Sequence, residues 1–451
     1  MVSAPISSLL LSARGWELLD RLVGERVSPD RALAMSAALR QEYPPELVAA
    51  ALTQQVLRTT ARAKFSHADQ MLFTRAGLEQ ASSELTARHA AARFAGARVV
   101  ADLCCGIGGN LAALAGAGAA ASPVGTPEAS GTEGTAGTAG TVMIVDFSQN
   151  VDSSPPDRLK DDHALKDDHD HDGPSYVVGV DADLASLEFA RHNVAVCAPT
   201  ARVGFVCADV TQLPMSGFDA VFIDPARRDE QGRLPSGRYQ PSLGWCLRLA
   251  DAVPRVGIKA APGLKRDLVP PGWETEFVAV GRDLKEALLW SPGLAVEAVT
   301  SRATVLPAGD TLTSSAATAP QPPVSLAPPG AYLLDPNPAV TRAGLVAELA
   351  RLLGAWQIDP MIAFLSSDEP LRTSFARTLR VLESAPWHEK RLTRRLRDLG
   401  IGSADIRRRG LAGDVAQIHR RLGLRGPGSA TIVMTRVQDR PWGLICEPVP
   451  G

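Results

Sequence analysis

Residues 98–109 read Arg-Val-Val-Ala-Asp-Leu-Cys-Cys-Gly-Ile-Gly-Gly, and this stretch decides the fold of the chain. An apolar strand leads into a glycine loop with Asp102 at its mouth, and Gly106 and Gly108 allow the backbone to approach a ligand closely. The sequence that follows, Asn110-Leu-Ala-Ala-Leu-Ala, is typical of a helix. A strand, a glycine loop and a helix in this order predict a βαβ unit that binds a ligand at the loop.

The spacing of the glycines excludes two classes of cofactor. A dinucleotide fingerprint requires a third glycine at position 111, where this chain has Leu111. A P-loop requires Lys followed by Ser or Thr after the glycines, and neither is present. An acid four residues ahead of a G-x-G loop suits a cofactor with an amino-acid group and a nucleoside but no phosphate. S-adenosylmethionine fits that description.

Length and composition predict a globular protein of several domains. The chain has 451 residues, a formal net charge of −2 and 45% hydrophobic residues, which suffices for roughly two to four domains. It contains no run of about 18 apolar residues that would span a membrane. Its six cysteines are scattered without metal-ligand spacing, and we expect reduced thiols and a cytoplasmic protein that holds no metal.

Hydrophobic periodicity predicts an α/β fold with a doubly wound, mostly parallel, seven-stranded sheet. The predicted organisation is a helical region at 1–95, a cofactor-binding domain at 96–305, a Pro/Ala-rich linker at 306–330 and a small α+β domain at 331–451. Seven short apolar segments are predicted strands: 98–102, 176–181, 203–209, 219–224, 255–259, 276–280 and 297–305.

Residues 121–173 interrupt the strand series with a Gly/Thr/Ala repeat followed by a charged tail. In that tail His163, His169 and His171 have metal-binding side chains. We favour instead a solvated, disordered surface insertion, because the segment has too few apolar residues to form a core. Within it, residues 141–147 have the composition of a short strand.

Four predicted strands end in an acid: Asp102, Asp181, Asp209 and Asp224. Ligands bind beyond the carboxyl ends of the strands in an open parallel sheet, so these side chains are expected to share one crevice. Asp102 would favour a cationic amino-acid group, Asp181 would accept both ribose hydroxyls, and Asp209 would accept the adenine amino group. Taken singly, each acid is also a candidate helix cap or turn residue.

The sequence Asp224-Pro225-Ala-Arg at the end of the fourth strand is the predicted catalytic segment. Methyl transfer is an in-line displacement, in which alignment does most of the catalytic work. Asp224 would orient the nucleophile and accommodate its proton. Pro225 stiffens the backbone, and Arg227 is a candidate contact for the substrate. The alternative is an ordinary turn with a solvated arginine.

Together these motifs resemble the class I S-adenosylmethionine-dependent methyltransferases. Residues 71–81 also resemble the segment before the core of trimethylguanosine-synthase-like members, and this similarity implies that Thr74 lies by the methionine end of the cofactor. Cys104, in the loop, is included in the cofactor site. Residues 283–290 and the sequence from 331 onward resemble bacterial methyltransferases with a C-terminal THUMP-like domain, which implies structured RNA, often tRNA, as the substrate.

One departure limits the resemblance. Many base N-methyltransferases have a second proline and then an aromatic residue after the motif acid, where this chain has Ala226 and Arg227. Stacking on a base must therefore come from elsewhere. No cysteine lies in a recognisable nucleophile motif, which disfavours methylation at pyrimidine C5.

A basic segment, 390–425, contains eleven Lys or Arg residues against three Asp. Such a cluster in a nearly neutral protein is typical of contact with a phosphate backbone, although a solvated basic face is the alternative. The candidate RNA contacts there are Arg394, Arg395, Arg407, Arg408 and Arg409.

The sequence thus predicts a methyltransferase acting on a base nitrogen in tRNA or rRNA. Two alternatives stay open: a small molecule or protein as the substrate, and a non-catalytic RNA-binding factor that retains the fold.

Overall fold

The computed structural model describes two compact units. The first comprises Met1–Gly263 and Leu288–Leu294, and the second comprises Leu264–Ala287 and Ala295–Gly451. The described residues are 6–119, 143–144, 173–226, 228–229, 232–233, 239–314 and 321–449. Arg227, His163, His169, His171 and nearly all of the predicted insertion lie outside them.

Helices form the beginning of the first unit, as predicted. Short side chains cap the N-termini of three of them, for example Ser12, which accepts a hydrogen bond from Gly15 N. Leucines of the first four helices pack against Phe189 in one core. The helices are α1 (Ile6–Leu10), α2 (Ala13–Arg21), α3 (Pro29–Leu39), α4 (Pro45–Ala61), α5 (Arg75–Gln80) and α6 (Glu84–Ala91).

Helices α7 (Gly109–Ala119), α8 (Leu184–Cys197) and α9 (Leu243–Arg248) alternate with strands in the rest of this unit. The first ten strands of the chain are β1 (Val99–Leu103), β2 (Met143–Ile144), β3 (Tyr176–Asp181), β4 (Val203–Cys207), β5 (Ala220–Ile223), β6 (Arg228–Asp229), β7 (Gly232–Arg233), β8 (Arg255–Ala260), β9 (Glu274–Val280) and β10 (Asp283–Trp290).

A mostly parallel sheet forms the centre of the first unit. Its strand order is β2-β4-β3-β1-β5-β8, and the last residues of β10 follow β8. The pairs β4–β3, β3–β1, β1–β5 and β5–β8 are all parallel. Helices α7 and α8 pack on β3. The ends of the four strands that carry the predicted acids therefore lie side by side at one edge of the sheet.

The second unit contains the start of β10 and two groups of strands. Strand β9 pairs in parallel with β11, and β11 pairs with β12 in antiparallel. The other group is a seven-stranded sheet of order β14-β15-β13-β16-β19-β18-β17. The further elements are β11 (Ser301–Leu306), β12 (Asp310–Thr313), β13 (Tyr332–Pro336), α10 (Pro338–Ala343), α11 (Val346–Leu353), β14 (Trp356–Gln357), β15 (Leu365–Ser367), β16 (Ala376–Pro386), α12 (Glu389–Asp398), β17 (Ile401–Arg408), α13 (Val415–Leu422), β18 (Gly428–Val437) and β19 (Arg440–Pro448).

The predicted α/β class is confirmed, and each of the seven predicted strands overlaps with a strand of the structure. Strands β2, β10 and β12 add to that series. Strand β2 lies within the predicted insertion and pairs with β4 in antiparallel. The predicted linker at 306–330 has second-unit residues on both sides, and its Ala327 N donates to Gln357 O. The predicted domain boundaries stay a prediction.

Candidate functional site

The glycine loop between β1 and α7 has a backbone that few residues other than glycine adopt. Gly106 and Gly108 have φ values of +53° and +83°, and Cys104 has +60°. A Cβ at Gly108 would lie 3.0 Å from Ala190 of helix α8, whereas a Cβ at Gly106 would meet no atom within 4 Å. Gly108 thus permits packing of the loop on α8, and Gly106 faces open space.

Asp102, at the mouth of the loop, is fully buried. Neither carboxyl oxygen has a hydrogen-bond partner among the described residues. Burial raises the pKa of this carboxyl well above its usual range, as do the neighbouring Asp224 and Asp181, while Lys259 acts in the opposite direction. Two unsatisfied buried acceptors beside open backbone fit a ligand with a cationic donor group, such as the ammonium of S-adenosylmethionine.

Asp181, at the end of β3, is joined to the glycine loop. Its Oδ2 accepts a hydrogen bond of 2.8 Å from Gly106 N, and its Oδ1 accepts one of 2.9 Å from Asp183 N. Burial raises the pKa of Asp181 in spite of these hydrogen bonds. The structure thus brings Asp102, Asp181 and the loop together.

Asp209 has a local structural role in the described chain. Its carboxyl accepts hydrogen bonds from Thr211 N at 2.9 Å and Thr211 Oγ1 at 2.8 Å, and these lower its pKa. It is exposed and caps a short 3-10 helix. This agrees with the alternative given above, in which a single acid after a strand is a helix cap. Its contact with adenine stays a prediction.

Asp224, just after β5, forms an ion pair that the sequence analysis missed. Its Oδ2 lies 2.6 Å from Lys259 Nζ and 3.4 Å from Asn110 Nδ2. The Lys259 side chain is 4% exposed and that of Asp224 is 20% exposed. Because β5 and β8 are parallel neighbours, Lys259 reaches the acid from the adjacent strand end. The sequence signal that could have indicated this contact is the presence of a lysine inside the apolar segment 255–260.

The backbone after Asp224 is held on both sides. Pro225 is buried, and Ala226 exchanges two backbone hydrogen bonds with Gln240, of 2.9 and 3.0 Å. The Tyr239 hydroxyl accepts a hydrogen bond from Ala261 N at 3.0 Å, beyond the end of β8. These contacts fix the position of the acid relative to the sheet.

Thr74 caps helix α5, where its Oγ1 accepts a hydrogen bond from Gly77 N at 2.9 Å. The α5 backbone is close to the glycine loop, since a Cβ at Gly77 would lie 2.5 Å from Ile107 Cγ2. Buried Asn193 of α8 exchanges hydrogen bonds of 2.8 and 2.9 Å with the backbone of Leu72, and also donates to Ile107 O at 2.9 Å. Sequence analysis missed this amide, which joins the segment before α5 to the loop.

Thiols near the loop are poor nucleophiles. Burial raises the pKa of Cys104 and of Cys105 far above the usual value, and the neighbouring acids raise it further. Burial also raises the pKa of Cys246 to about 12. The thiolate form is therefore disfavoured at each of these three cysteines near neutral pH.

Most of the arginines predicted to contact RNA are engaged within the protein. Arg395 pairs with Glu383, Arg407 with Asp405 at 2.9 Å, and Arg409 with Asp335 at 3.0 Å. Arg408 donates to backbone carbonyl oxygens, including Gly413 O at 2.6 Å. Among the described residues, exposed Arg394 has no ion pair within 4.0 Å.

Two other arginines that sequence analysis did not single out are also without an ion pair in the described parts of the chain. Arg397 and Arg425 are exposed and line a cavity of about 480 Å³ together with Leu422 and Leu424.

Within the described ranges, no group of three or more His, Cys, Asp or Glu side chains is placed to hold a metal ion. No described helix is long and apolar enough to cross a membrane.

Comparison with known proteins shows which families this chain resembles. Two strains of Mycobacterium tuberculosis each have an uncharacterized S-adenosylmethionine-dependent methyltransferase that is 33% identical over 376 residues, which cover 82% of this chain and 85% of the relative. A crystal structure of a presumed methyltransferase from Porphyromonas gingivalis W83 matches with a TM-score of 0.69 at 18% identity, covering 96% of this chain and 98% of that one. The latter likeness concerns the fold alone.

Family models match two parts of the sequence. One described as THUMP domain-like matches residues 376–448, and one described as a domain of unknown function matches residues 7–61. The parallel sheet and its glycine loop are those of a class I methyltransferase. The chain belongs to the S-adenosylmethionine-dependent methyltransferases, and it carries a THUMP-like region. S-adenosylmethionine is its cofactor.

Proposed function

We propose that this methyltransferase modifies a base nitrogen in structured RNA, either tRNA or rRNA. The observation that carries the proposal is the Asp224 carboxylate at the end of β5, whose Oδ2 is held by Lys259 at 2.6 Å. Among the described residues, no hydrogen bond is made to its Oδ1. That oxygen is therefore available to accept a hydrogen bond from the amino or imino group of a base.

The residues around the glycine loop suit the cofactor. Asp102 would hold the ammonium group, the backbone at Gly106 and Gly108 would lie along the amino-acid portion, and Thr74 and Cys104 would line the same end. Asp181 would accept the ribose hydroxyls and Asp209 the adenine amino group. When bound, S-adenosylmethionine supplies an electrophilic methyl group on its sulfonium.

The protein side chains would then align the acceptor. Lys259 and Asn110 fix the rotamer of Asp224 by their contacts with Oδ2. The carboxylate would orient the attacking nitrogen and accommodate its proton, while buried Pro225 restricts the backbone. Alignment of this kind is the main catalytic contribution to an in-line displacement.

The THUMP-like region supports RNA as the substrate class. Arg394, Arg397 and Arg425, which are exposed and have no ion pair among the described residues, are better candidates for phosphate contacts than Arg395, Arg407 and Arg409. A guanidinium that is already paired with a carboxylate contributes less positive potential. Arg227 remains a predicted substrate contact, although it lies outside the described residues.

Mass spectrometry of nucleosides from cells with and without the protein tests the proposal. One methylated purine should be lost from tRNA or rRNA in its absence, and should return with the wild-type protein but not with Asp224→Ala. Calorimetry should show that this variant still binds S-adenosylmethionine within about twofold of wild type. If Asp224→Ala restores the nucleoside fully, Asp224 is not a catalytic residue.

A salt titration separates RNA from other substrates. Affinity for a structured RNA should fall steeply with ionic strength because binding releases counterions. Affinity that is insensitive to salt would favour a small-molecule substrate.

A further inference from the structure

The second unit contains a cavity of about 550 Å³ whose charged lining residues are two arginines. Arg282 and Arg377 line it, together with Ser374, Thr373, Leu306 and Pro307. Four guanidinium groups and two carboxylates form the charged network at this place. We call this network the arginine cluster; it consists of Arg282, Arg377, Arg407, Arg409, Asp335 and Asp405.

One half of the arginine cluster is built around a buried acid. Asp335 is 2% exposed, and its Oδ2 lies 2.8 Å from Arg282 Nη2. Its Oδ1 lies 3.0 Å from Arg409 Nη2. Arg282 Nη1 donates in addition to the backbone oxygen of Asp335 at 3.1 Å. Asp335 is thus shared between two guanidinium groups and neutralises only one of them.

In the other half of the arginine cluster, strong hydrogen-bond donors have no acceptor among the described residues. Nε and Nη2 of Arg377 are buried atoms with no hydrogen-bond acceptor in the described chain. The acid beside Arg377 is Asp405, whose Oδ2 is 3.6 Å from Nη2, and the same oxygen already accepts from Arg407 Nε at 2.9 Å. Ser374 Oγ is also buried without a hydrogen-bond partner. Buried polar groups in this state are rare in folded proteins.

The charges of the arginine cluster do not balance. Four guanidinium groups face two carboxylates, so two positive charges remain. Burial lowers the pKa of Arg282, Asp335 raises it, and repulsion from Arg377, Arg407 and Arg409 lowers it further. A net positive network with unsatisfied donors is favourable for an anion with several acceptor oxygens.

We propose that this cavity binds a phosphate group, with Arg377 and Ser374 as its direct donors. The planar guanidinium presents paired donors that match the spacing of phosphate oxygens. A phosphate monoester carries about −1.5 to −2 charges at neutral pH, which matches the excess of the arginine cluster. The site goes beyond the proposed function, because it requires neither the cofactor nor methyl transfer.

Calorimetric titration of the full-length protein with inorganic phosphate tests the site. Arg377→Gln should weaken binding at least tenfold, and Ser374→Ala should weaken it severalfold with little effect on folding. The matched control is Arg380→Gln, since Arg380 lies on the same strand but is exposed and paired with Glu447. It should bind phosphate as the wild type does. Unchanged phosphate affinity in both Arg377→Gln and Ser374→Ala, or no phosphate binding by the wild type, would overturn the proposal.

A competition experiment identifies where the phosphate comes from. Displacement of inorganic phosphate by a short single-stranded RNA with a 5′-phosphate, but not by the same RNA without it, supports a terminal phosphate of a polynucleotide. If neither RNA displaces inorganic phosphate, the result supports a small phosphate compound as the ligand that binds the same donor atoms. Neither measurement involves methyl transfer, so failure of this site and failure of the proposed function are distinguishable.

Discussion

At the scale of single residues, burial of the Asp102 carboxyl is unfavourable for the folded protein. It is a fully buried carboxyl without a hydrogen-bond partner among the described residues. Its raised pKa means that the folded chain binds its proton more tightly than the unfolded chain does. The stability contributed by this proton is present below the unfolded pKa of about 3.9 and is lost as pH rises through the folded pKa.

Asp102→Asn should therefore stabilise the cofactor-free protein at neutral pH, by about 1–3 kcal/mol, because the amide carries no charge that must be desolvated. The advantage over wild type should shrink as pH falls toward 4. Urea unfolding at several pH values measures it. Cofactor affinity should fall in the same variant. A stability difference independent of pH would contradict the ionisation of Asp102 as the cause.

Asp209→Asn is the matched control, because the pKa of Asp209 is shifted in the direction opposite to that of Asp102. The pKa of Asp209 is lowered by its hydrogen bonds to Thr211, so the stability that it contributes is present above about pH 3.9 and is lost on acidification. The two variants should thus show opposite trends with pH in the same unfolding experiment.

The contact between Asp224 and Lys259 is a second residue-scale prediction. Lys259→Met and Asp224→Ala should each destabilise the protein, because each leaves a charge with little solvent and without this partner. The double variant should cost less than the sum, with a coupling of about 0.5–3 kcal/mol. Denaturant unfolding of all four proteins measures this coupling. Strictly additive costs would show that the contact contributes no specific interaction.

At the scale of elements, the glycine loop offers a test with an internal control. Gly108→Ala should destabilise by about 1–3 kcal/mol, because its positive φ is unfavourable for alanine and its Cβ would press on Ala190. Gly116→Ala, in helix α7 with no atom within 4 Å of the new Cβ, should stabilise by about 0.5–1 kcal/mol. Thermal unfolding of both variants checks the contrast, and equal effects would contradict it.

Local sequence predicted the elements better than it predicted their partners. The alternation of short apolar strands with helices predicted the parallel series, and the acids that follow the strands indicated the ligand-binding edge. Lys259, Asn110 and Asn193 were missed because their roles depend on which residues pairing and packing bring close. Nothing in the sequence around Lys259 shows that Asp224 lies 2.6 Å away.

At the scale of the whole molecule, the distribution of paired and unpaired arginines predicts how RNA affinity responds to substitution. Arg397→Gln should weaken binding of a tRNA and reduce the slope of log affinity against log salt by about one. Arg421→Gln is the control, because Arg421 already makes two hydrogen bonds with Glu389, of 2.8 and 3.1 Å. It should change both quantities less. Equal effects of the two substitutions would mean that the ion pairing of an arginine within the protein does not determine whether it contacts RNA.

The Asn193 amide has a consequence for how the protein can be shortened. It bonds to the backbone of Leu72 on one side and to Ile107 of the glycine loop on the other. A truncated chain that begins at residue 96 would leave that buried amide without Leu72 and would remove the helical support behind the loop. The first 95 residues thus support the glycine loop, and we expect limited proteolysis that removes them to abolish S-adenosylmethionine binding.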